Sequence, residues 1–115
     1  LEISSSEELE RALLFNEVVM IGYYDPESRE ATLFRKVYKR LSEHADPRIL
    51  VLVANLRNIP ELLRDSTTTP CIRVYYRGAL VFEQKGLFGD EELDVFVLRR
   101  GIRAVLRELN VHFRV

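Results

Sequence analysis

Apolar positions along the chain fall into two kinds of block. Val18-Val19-Met20-Ile21-Gly22-Tyr23-Tyr24 and Ile49-Leu50-Val51-Leu52-Val53-Ala54 are near-continuous apolar runs, the first closed by Asp25-Pro26 and the second opened by Asp46-Pro47. Short runs of this kind bounded by breakers predict strands buried on both faces, as in a parallel sheet covered by helices. Between them Phe34, Val37, Tyr38 and Leu41 recur at helical spacing, with Arg35, Lys36, Lys39 and Arg40 on the other side. That alternation predicts an amphipathic helix from about Ser28 to Glu43.

Local signals supply the remaining elements. Ser4-x-x-Glu7 and Ser5-x-x-Glu8 both read as capping boxes and open a first helix running to about Phe15. Leu1-Glu2-Ile3 ahead of it leaves room for a short edge strand. Asn58 is expected to cap a short helix through Leu63, with Pro60 in its first turn, where a missing N–H does no harm. After the Thr67-Thr68-Thr69 loop, Pro70 should start a strand, because a proline cannot donate to a ladder and is excluded from strand interiors. Arg77-Gly78 then turns the chain into Leu80-Val81-Phe82-Glu83-Gln84 as a hairpin partner. Asp90 caps a last helix to about Asn110, with Leu93, Phe96, Val97, Ile102, Val105, Leu106 and Leu109 expected inward. Residues 111–115 alternate and are expected to form a tail beyond a domain of residues 1–110, frayed in the first reading and otherwise added as an edge strand or used to bind a partner.

The predicted order is β, α, β, α, β, α, β, β, α. Alternating strands and helices imply parallel neighbours with helices on both faces, and the terminal hairpin adds an antiparallel pair. The expected fold is therefore α/β: three layers, with a mixed sheet of four to five strands flanked by four helices.

Composition narrows the function. The 115 residues suffice for one domain with one core, and a net charge of −1 gives no global attraction to nucleic acid or an acidic membrane. No apolar run approaches the roughly 20 residues needed to cross a bilayer, and Leu1-Glu2-Ile3 carries no signal-peptide pattern, so a cytoplasmic location is expected. Cys71 is the single cysteine, which excludes an intrachain disulfide, a dithiol couple and a cysteine-rich zinc site. His44 and His112 stand far apart without ligand spacing, and Gly-rich phosphate loops are absent, so neither a metal nor a cofactor is expected.

Thr67-Thr68-Thr69-Pro70-Cys71-Ile72-Arg73-Val74-Tyr75-Tyr76-Arg77-Gly78 resembles the proline-led strand of the thioredoxin fold, where a cis proline lies beside the redox site. Its Pro-x-x-basic-x-aromatic rhythm is similar to a protein disulfide isomerase domain. The offsets from Gly86 to Leu93 and Phe96 also resemble the thioredoxin ending. A cis bond at Pro70 is implied by this resemblance alone, since about one X-Pro bond in twenty is cis.

The resemblance places the redox motif at residues 24–31. Tyr24 and Pro26 fit the disulfide isomerase pattern, Glu27 takes the tryptophan place, and Ser28-Arg29-Glu30-Ala31 takes the place of Cys-x-x-Cys. A serine hydroxyl cannot form the mixed disulfide on which exchange depends, and alanine is inert. Ile21 and Gly22 stand where active members bury an acid beneath the dithiol. The implied function is a redox-inactive module that binds a protein or extended peptide through Tyr24, Ser28, Arg29, Thr69, Pro70, Gly86, Leu87 and Phe88. Tyr23 is expected in the core, whereas Leu87 and Phe88, in a loop between two glycines, are candidates for exposure.

Two other readings remain. Cys71 could act as a lone thiol forming a mixed disulfide or a small-thiol adduct, with Arg73 on the same strand face; the plainer reading is a small apolar residue filling a strand. Arg99, Arg103 and Arg107, with Arg100 beside them, form a basic stripe, read as a solvated face that complements the helix dipole or as a site for an acidic partner. Self-association is open.

Overall fold

The computed structural model describes residues 1–63 and 69–115. Thr67 and Thr68, which the sequence assigns to the loop before Pro70, lie outside the described residues. The elements are β1 (Glu2–Ile3), α1 (Ser6–Phe15), β2 (Val18–Tyr24), α2 (Ala31–His44), β3 (Ile49–Asn55), a 3-10 turn (Pro60–Leu63), β4 (Cys71–Tyr76), β5 (Ala79–Lys85) and α3 (Glu91–Glu108). The five strands form one sheet in the order β1-β3-β2-β4-β5. β1 and β2 run parallel to β3, while β4 is antiparallel to both β2 and β5.

β2 lies at the centre and is buried at every position, as a run apolar on both faces requires. Its alternate residues feed two cores. Val18, Met20 and Tyr24 pack with Phe34, Val37, Tyr38 and Leu41 of α2 and with Val95, Leu98, Ile102 and Leu106 of α3. On the other face Val19, Ile21 and Tyr23 pack with Leu9 and Ala12 of α1, with Ile59 and with Cys71. These are the three expected layers.

Several boundaries differ from expectation. The described residues form three α-helices instead of four, because Pro60–Leu63 is a single 3-10 turn too short to offset helix nucleation. It is preceded by a turn in which the Asn55 side chain accepts from the Arg57 N–H and the Asn55 carbonyl accepts from the Asn58 N–H. Pro70 stands just ahead of its strand, which begins at Cys71. In α1 the N-cap is Ser5, whose hydroxyl accepts from the Glu8 N–H, while Ser4 donates to the Glu8 carboxylate. The β4–β5 hairpin closes through Arg77 and Gly78, both at positive φ (50° and 83°), the pairing that matches strand twist in a two-residue loop.

The inward face of α3 is also different. Asp94, Val95, Leu98, Ile102 and Leu106 are buried, whereas Leu93 and Phe96, expected inward, are 46% and 57% exposed. Burying Asp94 turns the helix so that the stripe holding positions 93 and 96 meets solvent.

Residues 111–115 are neither frayed nor a strand. Val111 and Val115 are buried in the core shared with α2 and α3. Asp46 clamps the segment: its N–H donates to the Arg114 carbonyl (2.6 Å), and its carboxylate accepts from Arg114 N (3.4 Å) and from Arg48 N, Nε and Nη2 (2.8–2.9 Å). Arg48 in turn lies over the Phe113 ring (4.3 Å). The Arg48 guanidinium, joined by the backbone donors, holds the Asp46 carboxyl well below the usual carboxylate range. A depressed folded-state pKa contributes stability above the unfolded value, about 3.9, and that contribution is lost as pH falls below it. In acid unfolding followed by circular dichroism, Asp46→Asn should therefore lose less stability than the parent chain below about pH 4. Equal losses in the two chains would contradict this role.

Candidate functional site

Strand register decides which candidate residues meet. Tyr23 pairs with Cys71 as the last pair of β2 and β4, so Tyr24 and Pro70 end these strands side by side. The Gly86 N–H donates to the Pro70 carbonyl (2.7 Å), carrying the β4–β5 ladder one step further. One end of the sheet thus gathers residues 25–30, Thr69-Pro70 and the 86–89 loop. The Thr69–Pro70 peptide bond is cis.

Exposure separates these residues. Phe88 is 67% exposed and Arg29 is exposed, while Ser28, Thr69, Gly86 and Leu87 are half-buried and Pro70 is buried. Tyr24 does not face outward. Its ring is 7% exposed and stacks on Phe34 (5.1 Å, 11°), which stacks in turn on Tyr38 (5.2 Å, 14°).

The turn after β2 is tied down by its own polar groups. Pro26 follows Asp25 in a turn in which both the N–H (3.0 Å) and the hydroxyl (2.8 Å) of Ser28 donate to the Asp25 carbonyl. Proline's fixed φ and the aspartate's side-chain bond to the Glu27 N–H (3.0 Å) favour this shape and delay the helix to Ala31, three residues later than the periodicity suggests. Arg57, absent from the sequence-derived set, bonds Asp25 through Nε (3.1 Å) and pairs with Glu27, joining the loop after β3 to this turn. The Glu27 N–H, then Arg57, hold the Asp25 carboxyl below its ordinary range. Ser28 thus uses its hydroxyl as a donor within the turn, and Ala31 is buried at the start of α2.

Gly22 marks the closest approach in the site. A Cβ built there would lie 2.6 Å from Phe34 Cζ and 2.9 Å from Tyr38 Cε1. The space beside β2 is already filled by the aromatic stack. Tyr38 is fixed from beyond its ring, its hydroxyl donating to the carbonyl oxygens of Leu52 (2.6 Å) and Met20 (3.2 Å).

Cys71 is fully buried on the opposite face of the sheet. Burial pushes its thiol pKa up; Arg73 opposes the shift and Glu83 adds to it. Glu83 lies 3.9 Å from the sulfur and bonds Arg73 at 2.6 Å, so much of the arginine's charge is answered before it reaches the thiol.

Asp94 is the residue that sequence reasoning missed. It is fully buried, and its carboxylate accepts from Phe88 N (2.7 Å) and Gly89 N (3.2 Å), fixing the 86–89 loop against the first turns of α3. The available signal was an acid four residues after the helix cap, directly following a Gly-x-x-Gly loop. A separate groove of about 670 Å³, lined by Leu13, Leu14, Phe15, Arg77 and Gly78, lies at the other end of the sheet and involves none of these residues.

A scan against protein-family models and a search of curated proteins both find no match. Solved structures do match. Mitochondrial thioredoxin 3 of Saccharomyces cerevisiae superposes with a TM-score of 0.72 at 14% identity, covering 90% of this chain and 92% of that one. A Plasmodium falciparum thioredoxin gives 0.69 at 14% identity, with 86% and 96% covered, and a single-site mutant of a Halobacterium salinarum thioredoxin gives 0.65 at 17%, with 88% of each covered. At such identities the likeness speaks for architecture, and it agrees with the strand order and layers described above: the chain has the thioredoxin-like α/β fold, with a mixed five-stranded sheet and three helices among the described residues.

Proposed function

We propose that this chain is a redox-inactive thioredoxin-like module, of the kind found within the disulfide isomerase family, that binds a protein or extended peptide at the Pro70 edge. One observation carries the reading. The place where such a scaffold would keep an acid beneath its dithiol is Gly22, and Phe34 and Tyr38 fill it. Ser28 and Ala31 take the sulfur positions, and neither can enter disulfide exchange. The edge itself is built: Pro70 is tied to Gly86, and Asp94 holds the loop that presents Phe88. An aromatic 67% exposed at the rim of a fixed loop is the natural anchor for a partner.

The contact surface proposed is Ser28, Arg29, Thr69, Pro70, Gly86, Leu87 and Phe88, with Tyr24 supporting it from the core. Fluorescence anisotropy with a labelled, reduced and carboxymethylated unfolded protein tests it. The expected result is saturable binding that Phe88→Ala weakens by about fivefold or more. Unchanged affinity in Phe88→Ala would count against the surface. The alternative, a thiol protein acting through Cys71, is disfavoured by complete burial and a raised pKa. Native chain treated with oxidised glutathione should show no adduct by mass spectrometry; rapid adduct formation would restore that alternative.

A further inference from the structure

The outward stripe of α3 is divided in two. Its first half carries Leu93 and Phe96, 46% and 57% exposed, and its second half carries Arg100, Arg103, Ala104 and Arg107, all exposed. On a helix these positions fall within a single face of about 100°. Phe96, Ala104 and the three arginines line a groove of about 490 Å³.

The usual structural roles of such residues do not account for them. Among the described residues, Arg100, Arg103 and Arg107 have no carboxylate within 4 Å; other arginines share this, Arg11 and Arg29 among them, but these three stand together on one helix face beside exposed apolar side chains. The helix dipole favours cations only in the last turn, which contains Arg107 but neither Arg100 nor Arg103. Arg103 and Arg107 stand four residues apart, a like-charge spacing that costs a helix a few tenths of a kcal/mol. Nor do Leu93 and Phe96 join either core cluster. Arg100 lies 5.9 Å from the Phe96 ring centroid, so the apolar and cationic halves adjoin.

We infer that this face of α3 is a docking surface for an acidic peptide segment of a partner protein. Apolar side chains of that segment pack on Leu93 and Phe96, and its carboxylates then reach Arg100, Arg103 and Arg107. Charge complementarity selects the occupant, because guanidinium forks pair with carboxylates in two-point fashion and the adjacent apolar half adds an anchor that a purely anionic ligand would not use. The surface is separate from the Pro70 edge and stands whether or not that edge binds peptide.

The probe is a synthetic peptide with two leucines one helical turn apart followed by a run of glutamates, titrated into the isotopically labelled full chain and followed by amide shifts. Saturable shifts centred on residues 93–107 are expected. R103E/R107E should weaken binding by about tenfold or more, F96A should weaken it several-fold, and added salt should weaken it steeply. These positions are exposed, so the variants should stay folded, which their unperturbed core resonances would verify; R103Q/R107Q repeats the test without introducing acids. The inference is overturned if the peptide gives no saturable shifts at this face, or if the charge variants bind as well as the parent chain. Tighter binding at this helix by a single-stranded oligonucleotide of equal charge would also overturn it, by assigning the face to nucleic acid.

Discussion

Gly22→Asp is expected to lower stability by about 4 kcal/mol or more, most of what a domain at the low end of the usual range possesses. The first atom of the new side chain would meet Phe34 Cζ at 2.6 Å, and the second ring behind it, Tyr38, is held by its hydrogen bonds to two strands. Overpacking alone costs about 1–3 kcal/mol, which is the loss expected for Gly22→Ala. An aspartate adds a buried carboxylate with no cation assigned to it, which costs several more. Urea unfolding of the two variants separates these contributions. A further variant ties the effect to its cause: Gly22→Asp combined with Phe34→Ala should be less destabilised than the sum of the single changes, because removing the ring vacates the space the acid needs. Were Gly22→Asp to remain within about 1 kcal/mol of the parent chain, the filled-site reading would fail, since overpacking normally costs more than that.

Asp94→Ala is expected to cost about 2 kcal/mol, because it leaves the part-buried N–H groups of Phe88 and Gly89 without their charged acceptor. Asp94→Asn should recover only part of this loss. Its carboxamide oxygen can take one N–H, but its NH₂ then faces the other donor. The functional consequence is as specific as the structural one. Loosening the 86–89 loop should weaken peptide binding at the Pro70 edge more than it weakens acidic-peptide binding through Arg103 and Arg107, which lie about two and a half turns or more further along α3. Retained stability, or equal weakening at both surfaces, would remove Asp94 from its place as a positioning residue.

These two residues also show where sequence reading succeeds and where it stops. β2 and β3 were legible because a buried parallel strand is apolar on both sides, so their runs needed no knowledge of a partner. Pro70 and Arg77-Gly78 were legible because backbone chemistry restricts where each can stand. The outward turn of Leu93 and Phe96 was not, because hydrophobicity alone cannot rank a charged residue inward. Only the two N–H groups of a neighbouring loop make Asp94 tolerable in the interior. The tail was misread for a similar reason: the group that holds Arg114 is Asp46, 68 residues away. Ile21 and Gly22 could be read as standing at the place of the missing acid, but the ring that closes the space at Gly22 sits on the next helix and emerges only from packing. Strand register brings Thr69, Pro70 and Gly86 to one end of the sheet, while the side-chain exposures there, Tyr24 inward and Phe88 outward, belong to tertiary structure.

The most direct measurement is a residue-resolved amide shift map of the full chain titrated with an uncharged, extended peptide. Ser28, Arg29, Thr69, Gly86, Leu87 and Phe88 should move first and together, with α1 and the second half of α3 unmoved. Shifts confined to the groove between α1 and the Arg77-Gly78 hairpin, with the Pro70 edge silent, would contradict the proposed site.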